Sequence, residues 1–440
     1  MNDKEIRQDA PALNDMTETT QSSDTAQESA AENAALSPEE PKPEAPKLSD
    51  REIMQHTASI WRYRTVIDDG TELHTEFHSK YARSGRVSVI GARARGKKHK
   101  HEGTNCDDWF ETAESAGCVI AVVSDGAGSK PLSRIGARVS CEGAVEYLKG
   151  AVSGLFEKQP ELRDKLSGDM SGDDFMAACG QMAPLIQNAA RVALDAVVKK
   201  YASICSDKAY IASLGREPVL SDMAGTFLAA VVVPLEVNGQ HENFVVSAQI
   251  GDGCICAIDR NSGHENCFKL LGEADSGAFS GETDFLSAKT VSEDVIARKT
   301  RISRGKSDIV MLMSDGVADD YFPAQPNMKR LCLDLMLNGI LPMPGGKADH
   351  QPPEPISFPS VSPDQRSVAL QYAKQLLSDG EDVDSLWDRR GELAPWSLDS
   401  WGGFIGKRPQ DKLLTWLDNY NERGSFDDRT LVVIDLSTEE

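Results

Sequence analysis

The most constraining feature of the sequence is an apolar run that ends on an aspartate beside a glycine. Residues Cys118–Ser124 read Cys-Val-Ile-Ala-Val-Val-Ser and lead into Asp125 and Gly126. A continuous apolar run of this length, bounded by glycine, predicts a strand buried on both faces. A carboxylate at the mouth of such a strand is costly to bury unless a cation or hydrogen bonds meet it. Together with a glycine carbonyl, it suits an oxygen-ligated ion such as Mg²⁺ or Mn²⁺.

The same combination of strand and aspartate recurs along the chain. Aspartates lie at the ends of four predicted strands and in one loop, and they are Asp125, Asp252, Asp315, Asp427 and the adjacent pair Asp107 and Asp108. A single Asp-Gly pair is typical of an ordinary turn. Four strand-end repetitions are harder to explain as turns, and they favour carboxylates that converge on one metal centre.

Composition restricts the classes of partner. The 440 residues carry a formal net charge of −22, which argues against general binding of nucleic acid or of an anionic membrane surface. No apolar run approaches the length of a membrane span. The nine cysteines show no zinc-finger spacing, and their odd number, with no signal peptide, favours a reducing cytoplasm.

The chain divides by composition into unequal parts. Residues 1–50 hold 12 acidic and 4 basic side chains and no aromatic residue, which predicts a disordered acidic, proline-containing tail. Residues 51–85 are interpreted as a lead-in that packs on the domain. The domain itself is predicted over 86–438. It includes a proline-rich insertion at about 320–400, made of loops and short helices, that lies over one edge of a sheet.

Periodicity predicts alternating pairs of strands and long helices. Helical spacing covers 131–148 and 173–201, and strand patterns cover 224–233 and 244–250. The run at 254–258 is interpreted as the hairpin partner of the strand at 244–250, and the basic segment 97–101 as a loop. The pattern favours the α+β class, with mostly antiparallel sheets flanked by helices.

Converging carboxylates favour a two-metal centre for phosphate-ester hydrolysis. Two divalent ions about 3.5–4 Å apart can bind a phosphoryl oxygen and lower the pKa of a shared water, which becomes the nucleophile. Other phosphate-related chemistries lack their motifs, because the sequence has neither a Gly-x-Ser-x-Gly elbow nor a Walker Gly-x₄-Gly-Lys-Ser/Thr loop.

The motifs now support a family resemblance. The sequence resembles the metal-dependent protein serine/threonine phosphatases of type 2C, and most of all a bacterial branch whose first motif reads Gly-x-x-His-x-x-x-Gly-x-x-Cys-Gln-Asp. The matching segments, in family order over about 86–438, are Gly96–Asp108, Asp125–Ser129, Gly225–Leu228, Gly251–Gly253, Gly281–Leu286, Ser314–Gly316 and Asp427–Leu431. The sequence departs from the family motifs at three positions, which are Asp107 in place of glutamine, Phe227 in the Gly-Thr-Thr-Leu motif, and Gly281 in place of asparagine.

The resemblance implies a fold and a metal site. The fold is a four-layer αββα sandwich of two antiparallel sheets flanked by helices. The cofactors are two Mn²⁺ or Mg²⁺ ions. Asp125 bridges both ions and the Gly126 carbonyl binds one of them. Asp315 and Asp427 complete the coordination of the other ion. Asp108, with or without Asp107, holds metal-bound waters, and Asp252 with Asp315 forms a third, weaker position.

The phosphate contact is the least defined part of the resemblance. Family members use an arginine near the first motif, but the position five residues before Asp108 is Gly103 here. His99 is the candidate for the phosphate contact or the general acid, and a neutral surface histidine in a basic loop is the alternative interpretation. Arg93 and Arg95 are candidates to supply the missing positive charge. Asp319 and Asp320 are equally consistent with the metal rim and with a solvated loop.

The hypothesis for function is hydrolysis of phosphoserine and phosphothreonine in proteins. The expected partner is a phosphorylated protein, a bacterial Ser/Thr kinase or one of its targets, and not nucleic acid or membrane. The alternatives are a pseudophosphatase that binds phosphoproteins as a regulatory module, a phosphatase of small metabolites, and an acidic scaffold with no site. The expected location is the cytoplasm.

Overall fold

A computed structural model describes residues 62–262, 267–273, 283–342, 408–419 and 426–437. All of them belong to one of two units into which the chain divides, Ser49–Glu440, whereas the unit Met1–Leu48 lies outside the described residues. The predicted acidic tail and most of the predicted insertion therefore also lie outside the described residues.

Six described strands form one antiparallel sheet, called sheet A. They are β1 (Phe77–Ser84), β2 (Val87–Ala94), β7 (Cys254–Ile258), β8 (Phe268–Leu270), β10 (Ile309–Met313) and β11 (Arg429–Asp435). Their order across the sheet is β1-β2-β11-β10-β7-β8. The last strand of the chain therefore lies in the middle of the sheet, between β2 and β10.

Five described strands form the second antiparallel sheet, sheet B. They are β3 (Trp109–Ser115), β4 (Cys118–Ser124), β5 (Phe227–Val237), β6 (Gln240–Ile250) and β9 (Thr300–Gly305). Their order is β3-β4-β5-β6-β9. The strand that precedes Asp125, β4, is buried along its whole length, as its apolar run predicts.

Helices lie outside both sheets. The described α-helices are α1 (Lys97–Glu102), α2 (Ser133–Lys158), α3 (Leu162–Ser167), α4 (Asp173–Cys205), α5 (Lys208–Leu214), α6 (Glu293–Arg298), α7 (Asp315–Ala318), α8 (Ala324–Leu337) and α9 (Pro409–Asn419). Short 3₁₀ turns cover Leu220–Met223 and Asp319–Tyr321. No helix in the described ranges is long and apolar enough to cross a membrane.

The apolar residues separate into three layers of core. On β4, Val119, Ala121 and Val123 face sheet A, in a cluster with β2, β7, β10 and β11. The alternate residues Cys118, Ile120 and Val122 pack with α2 and α4. A third cluster joins the outer face of sheet A to α8 and α9. These layers confirm the predicted α+β sandwich, with helices on both outer faces.

Strand pairing differs from the sequence prediction around Asp252. The strand β7 does not form a hairpin with β6, because β7 pairs with β8 and β10 in sheet A whereas β6 belongs to sheet B. The short segment Gly251–Gly253 thus carries the chain from one sheet to the other. Gly251 has a φ of 119°, and a Cβ there would lie 2.5 Å from Thr226 Cγ2. Both observations explain why glycine occupies this crossing.

Two boundaries of the predicted segments also change. The predicted lead-in at 51–85 contains β1, which pairs with β2 along eight residues and forms an edge of sheet A. The predicted insertion contains α8, whose residues Leu331, Leu333 and Leu335 are buried in the core against sheet A. The sandwich therefore extends beyond the predicted boundaries at both of these points.

The basic segment predicted as a loop is the helix α1. Its last turn ends at Gly103, which has a φ of 79° and donates its N–H to the carbonyl of His99. The start of the helix is held by Asp428, whose Oδ1 accepts from the N–H of Gly96 at 2.6 Å. Because this partner lies 332 residues away, local sequence could not predict the helix.

Two glycines of α2 give a matched test of this packing. A Cβ on Gly136 would lie 2.0 Å from the carbonyl oxygen of Met223, whereas a Cβ on Gly150 meets nothing within 4 Å. We expect Gly136→Ala to lower the free energy of unfolding by about 1–3 kcal/mol through overpacking. Gly150→Ala should raise it by up to about 1 kcal/mol through helix propensity. Urea unfolding of both variants measures the effect, and equal stabilities would contradict this packing.

Candidate metal centre

The predicted carboxylates lie where strands of the two sheets end. Asp125 follows β4 of sheet B, and Asp315 follows β10 of sheet A. Asp252 lies in the crossing between the sheets, and Asp427 and Asp108 lie just before β11 and β3. The site is therefore built at one end of the sandwich, from both sheets.

Three of these aspartates approach one another closely. Asp125, Asp252 and Asp315 each offer a carboxylate oxygen, and these oxygens all lie within 4.8 Å of one another. Burial, followed by the charges of Asp315, Asp108 and Asp427, raises the pKa of Asp125 well above its usual value. Three carboxylates at this separation repel one another, and a divalent cation would relieve the repulsion.

The pKa of Asp315 is raised for the same reasons. Burial contributes most, and the charge of Asp252 comes next. Asp252 itself is held by the hydroxyl of Thr283, which donates to its Oδ2. Of the predicted motif Gly281–Leu286, only residues 283–286 are described, so Glu282 lies outside the described residues.

Asp108 joins the two sheets. Its Oδ2 accepts hydrogen bonds from Ser314 Oγ at 2.7 Å and from Thr430 Oγ1 at 2.6 Å. Ser314 follows β10 and Thr430 lies in β11, both in sheet A, whereas Asp108 precedes β3 of sheet B. Its Oδ1 is buried and has no hydrogen-bond partner among the described residues. Burial, with the charge of Asp428, raises the pKa of Asp108 to about 7. A buried carboxylate oxygen without a partner fits a cation or a water that a cation holds.

The backbone beside Asp125 is fixed by the segment that loosely matches Gly-Thr-Thr-Leu. The N–H of Asp125 donates to Thr226 Oγ1 at 2.8 Å, and the N–H of Thr226 donates to the Asp125 carbonyl at 2.8 Å. Gly126 forms a bridge with Gly225. A Cβ on Gly126 would lie 2.7 Å from the Asp107 carbonyl oxygen, so only glycine fits this position.

Asp428 organises the other side of the site. Its carboxylate accepts from the N–H groups of Gly96 and Asp107, and its Oδ2 lies 2.8 Å from His99 Nδ1. The opposite ring nitrogen, Nε2, lies 4.0 Å from Asp427 Oδ1. The ring of His99 is thus fixed at one nitrogen by Asp428, and it turns its other nitrogen toward a predicted metal ligand.

This contact determines the charge of His99. Burial lowers the pKa of the imidazole, but the charges of Asp428, Asp107 and Asp427 outweigh it and raise the pKa to about 10. His99 is thus a buried histidine with a raised pKa, which differs from the alternative of a neutral surface histidine. Burial and the charge of Asp428 raise the pKa of Asp107 to about 8.

The two aspartates of the 3₁₀ turn have different neighbours. Burial raises the pKa of Asp319, and the charges of Asp252 and Asp427 raise it further, which puts Asp319 at the edge of the carboxylate cluster. The charge of Asp320 instead acts on Lys97, whose pKa is lowered chiefly by burial and raised in part by Asp320. Of this predicted pair, Asp319 is the one that borders the site.

The two arginines predicted to bind phosphate are buried. Arg93 is 0% exposed, donates to the carbonyl and hydroxyl of Thr75, and stacks 4.5 Å from the centre of the Trp109 ring. Arg95 is 2% exposed and donates to the carbonyls of Thr104 and Arg64. These partners correct the expectation that Arg93 and Arg95 present positive charge to a substrate. Arg93 lies in β2 and Arg95 directly after it, and the local sequence does not indicate the segment that covers them.

Sequence reasoning missed the residues that hold the ligands in place. Asp428, Ser314 and Thr430 lie in matching segments of the resemblance, but the sequence predicts no role for any of them. Asp428 and Ser314 share one signal, which is a hydrogen-bonding side chain immediately next to a strand-end aspartate, whereas Thr430 lies within β11. The donor set of the site, which consists of carboxylates with a buried unpartnered oxygen, fits a hard divalent ion.

Comparison with known proteins identifies a family. The model of a family described as protein phosphatase 2C matches residues 95–338, which contain Asp108, Asp125, Asp252 and Asp315. No curated protein matches the sequence.

Solved structures give a distant likeness. A bacterial serine phosphatase shares 10% identity over 83% of this chain and 100% of its own, with a TM-score of 0.33. The serine/threonine phosphatase Stp1 of Staphylococcus aureus shares 12% identity over 85% of this chain and 98% of its own, with a TM-score of 0.34. A serine-threonine phosphatase 2C of Toxoplasma gondii shares 12% identity over 82% and 98%, with a TM-score of 0.38.

Proposed function

Because the chain belongs to the protein phosphatase 2C family, we propose that it is a metal-dependent phosphatase that removes phosphate from serine and threonine residues of proteins. The observation that carries the proposal is the group Asp125, Asp252 and Asp315, whose carboxylate oxygens lie within 4.8 Å of one another. Such a group is unfavourable without cations, and divalent ions bound there would offset the repulsion.

The residues divide into ligands and supports. We propose that Asp125 and the Gly126 carbonyl hold ions on the sheet B side, and that Asp315 and Asp427 hold them on the sheet A side. Asp252 would join Asp315 at a third, weaker position. Asp108, fixed by Ser314 and Thr430, would accept hydrogen bonds from water in the site through its free Oδ1. When bound, two divalent ions would act as Lewis acids on the phosphoryl group and lower the pKa of the attacking water.

His99 is proposed as the general acid. Its Nδ1–H donates to Asp428, which leaves the Nε2–H, directed toward Asp427, to protonate the departing oxygen. Hydrolysis breaks the bond between phosphorus and the serine or threonine oxygen, and this oxygen leaves as an alkoxide unless it receives a proton. The raised pKa keeps the proton on His99 at neutral pH, so the acid is present when the bond breaks.

Hydrolysis of p-nitrophenyl phosphate and of a phosphothreonine peptide tests the proposal. We expect turnover of both with Mn²⁺ and none with EDTA. Because p-nitrophenolate is a stable leaving group, His99→Gln should lower peptide turnover by about 100-fold and p-nitrophenyl phosphate turnover much less. The variant His241→Gln, at an exposed histidine of β6, is the matched control.

Other outcomes point to other functions. Metal-loaded, folded protein that hydrolyses neither substrate would overturn the enzyme proposal and favour a phosphoprotein-binding module. Turnover of small phosphorylated metabolites without peptide turnover would change the substrate class. Equal losses of both activities in His99→Gln would assign His99 to phosphate binding instead of proton donation.

A further inference from the structure

A phosphate substrate at this centre needs positive charge from the protein chain. The aspartates proposed as ligands or supports number five, Asp108, Asp125, Asp252, Asp315 and Asp427, and their negative charge opposes the approach of a phosphate dianion. The position that carries an arginine in the resembled family is Gly103. This residue ends α1 with a φ of 79°, a conformation that an arginine rarely adopts.

The basic residues near the site are mostly occupied elsewhere. Arg93 and Arg95 donate to backbone carbonyls under the segment that precedes β1. Lys100 is buried and forms an ion pair with Asp418 of α9. Lys97 is buried beside the ring of Phe426, with its ammonium 5.9 Å from the ring centre. Each of these side chains therefore contributes to packing of the domain.

Lys98 differs from these four side chains. It is the exposed lysine of α1, and among the described residues no carboxylate forms an ion pair with it and no hydrogen bond to its side chain is found. Its N–H donates to the carbonyl of Phe426 at 2.9 Å, which fixes this residue beside the turn that carries Asp427. Burial raises the pKa of Asp427, and the charge of Lys98 is among the smaller influences that oppose this rise.

The helix that carries Lys98 also faces the metal-binding loop. The next residue, His99, directs Nε2 to within 3.8 Å of the position that a Cβ on Gly128 would take. His99 thus borders the space between the Asp125–Ser129 loop and the Asp427 turn, and Lys98 is the exposed residue that precedes it. A lysine ammonium on a flexible stem is suited to phosphate as a point charge.

We propose that Lys98 contacts the phosphoryl oxygens of the substrate and of the product phosphate, in place of the arginine that the glycine at position 103 excludes. This inference rests on the proposed phosphatase function. Lys98 precedes His99 in α1, so the helix places two basic side chains in succession beside the Asp427 turn.

Three variants test the role of the ammonium group. Lys98→Gln removes the charge, Lys98→Arg keeps it, and Lys199→Gln is a matched control at an exposed lysine of α4. Isothermal titration of Mn²⁺-loaded protein with inorganic phosphate gives a readout that does not depend on turnover. Steady-state kinetics with p-nitrophenyl phosphate gives the second readout. Titration with Mn²⁺ alone checks that the metal ligands are undisturbed.

We expect Lys98→Gln to weaken phosphate binding and to raise KM by about tenfold, with a smaller change in kcat and unchanged Mn²⁺ binding. Lys98→Arg should retain most of the wild-type phosphate affinity, and Lys199→Gln should behave as the wild type. Phosphate binding by Lys98→Gln that equals the wild type would overturn the role of Lys98, and so would a wild type that binds no phosphate.

The two proposals fail in different ways. If the wild type hydrolyses substrates and Lys98→Gln is unaffected, the phosphatase function stands and the role of Lys98 is wrong. If the wild type binds phosphate through Lys98 but hydrolyses nothing, the role of Lys98 stands and the phosphatase function is wrong.

Discussion

Replacement of Asp125 by asparagine is expected to abolish most turnover and, at the same time, to stabilise the metal-free protein. The amide keeps the shape of the side chain but loses the charge that a divalent ion requires. We expect kcat to fall by about three orders of magnitude. The metal-free protein should gain stability because burial and the charges of Asp315, Asp108 and Asp427 all oppose ionisation of Asp125.

Two measurements check these opposite effects. Turnover of p-nitrophenyl phosphate with Mn²⁺ measures the loss of activity, and thermal unfolding in EDTA measures the gain in stability of the metal-free protein. Asp195→Asn, at an exposed aspartate of α4, is the control and should change neither. If Asp125→Asn unfolds at a lower temperature than the wild type in EDTA, the repulsion among these carboxylates is not the dominant cost in the metal-free state.

Stability of the metal-free protein is expected to fall as the pH rises from 6.5 to 8.5. The pKa of Asp107 is raised to about 8 and that of Asp108 to about 7, and those of Asp125 and Asp315 are raised well above the usual value. In this window the unfolded chain has lost these protons while the native state still holds some of them. The free energy of unfolding then decreases with pH, by at most about 1.4 kcal/mol per pH unit for each proton retained.

Other groups with shifted pKa values do not reverse this sign. His99, with its pKa raised to about 10, retains a proton that the unfolded chain loses above its usual pKa, and so it adds to the decline. Lys97, with its pKa lowered to about 7 chiefly by burial, has the opposite effect over the same range. His74 is buried with its pKa lowered to about 3, so it destabilises the native state only below pH 6.5, outside the window.

Urea unfolding in EDTA at pH 6.5 and 8.5 measures the effect. Saturating Mn²⁺ should reduce or reverse the difference, because metal binding needs deprotonated carboxylates. Asp108→Asn should flatten the pH dependence of the metal-free protein. Stability in EDTA that is constant or rises over this window would show that the carboxylates of the site are ionised without metal.

The parts of the fold that the sequence predicted are those with continuous apolar runs. The strands β4, β7 and β10 are buried throughout, and their burial appears in the sequence as unbroken apolar segments. The edge strands β1 and β3 were missed because exposed, polar residues interrupt their pattern.

Long-range contacts also limit how much of the site the sequence can predict. The aspartates of the three-carboxylate group were predicted because strand ends of a sandwich gather at one place. The charged state of His99 depends on Asp428, 329 residues later in the chain, and the burial of Arg93 depends on a polar segment around Thr75. Local patterns contain neither partner, so the ligands were predictable and their surroundings were not.

The helices α8 and α9 have a consequence for how this protein can change in evolution. They are joined by a hydrogen bond of 2.7 Å from Trp416 Nε1 to Asp334 Oδ2 and by one from Lys412 Nζ to the Gly339 carbonyl. Residues 343–407 run between them. Neither of these hydrogen bonds involves residues 343–407. Natural variation within that stretch can therefore leave the junction of α8 and α9 in place, and with it the core on the outer face of sheet A.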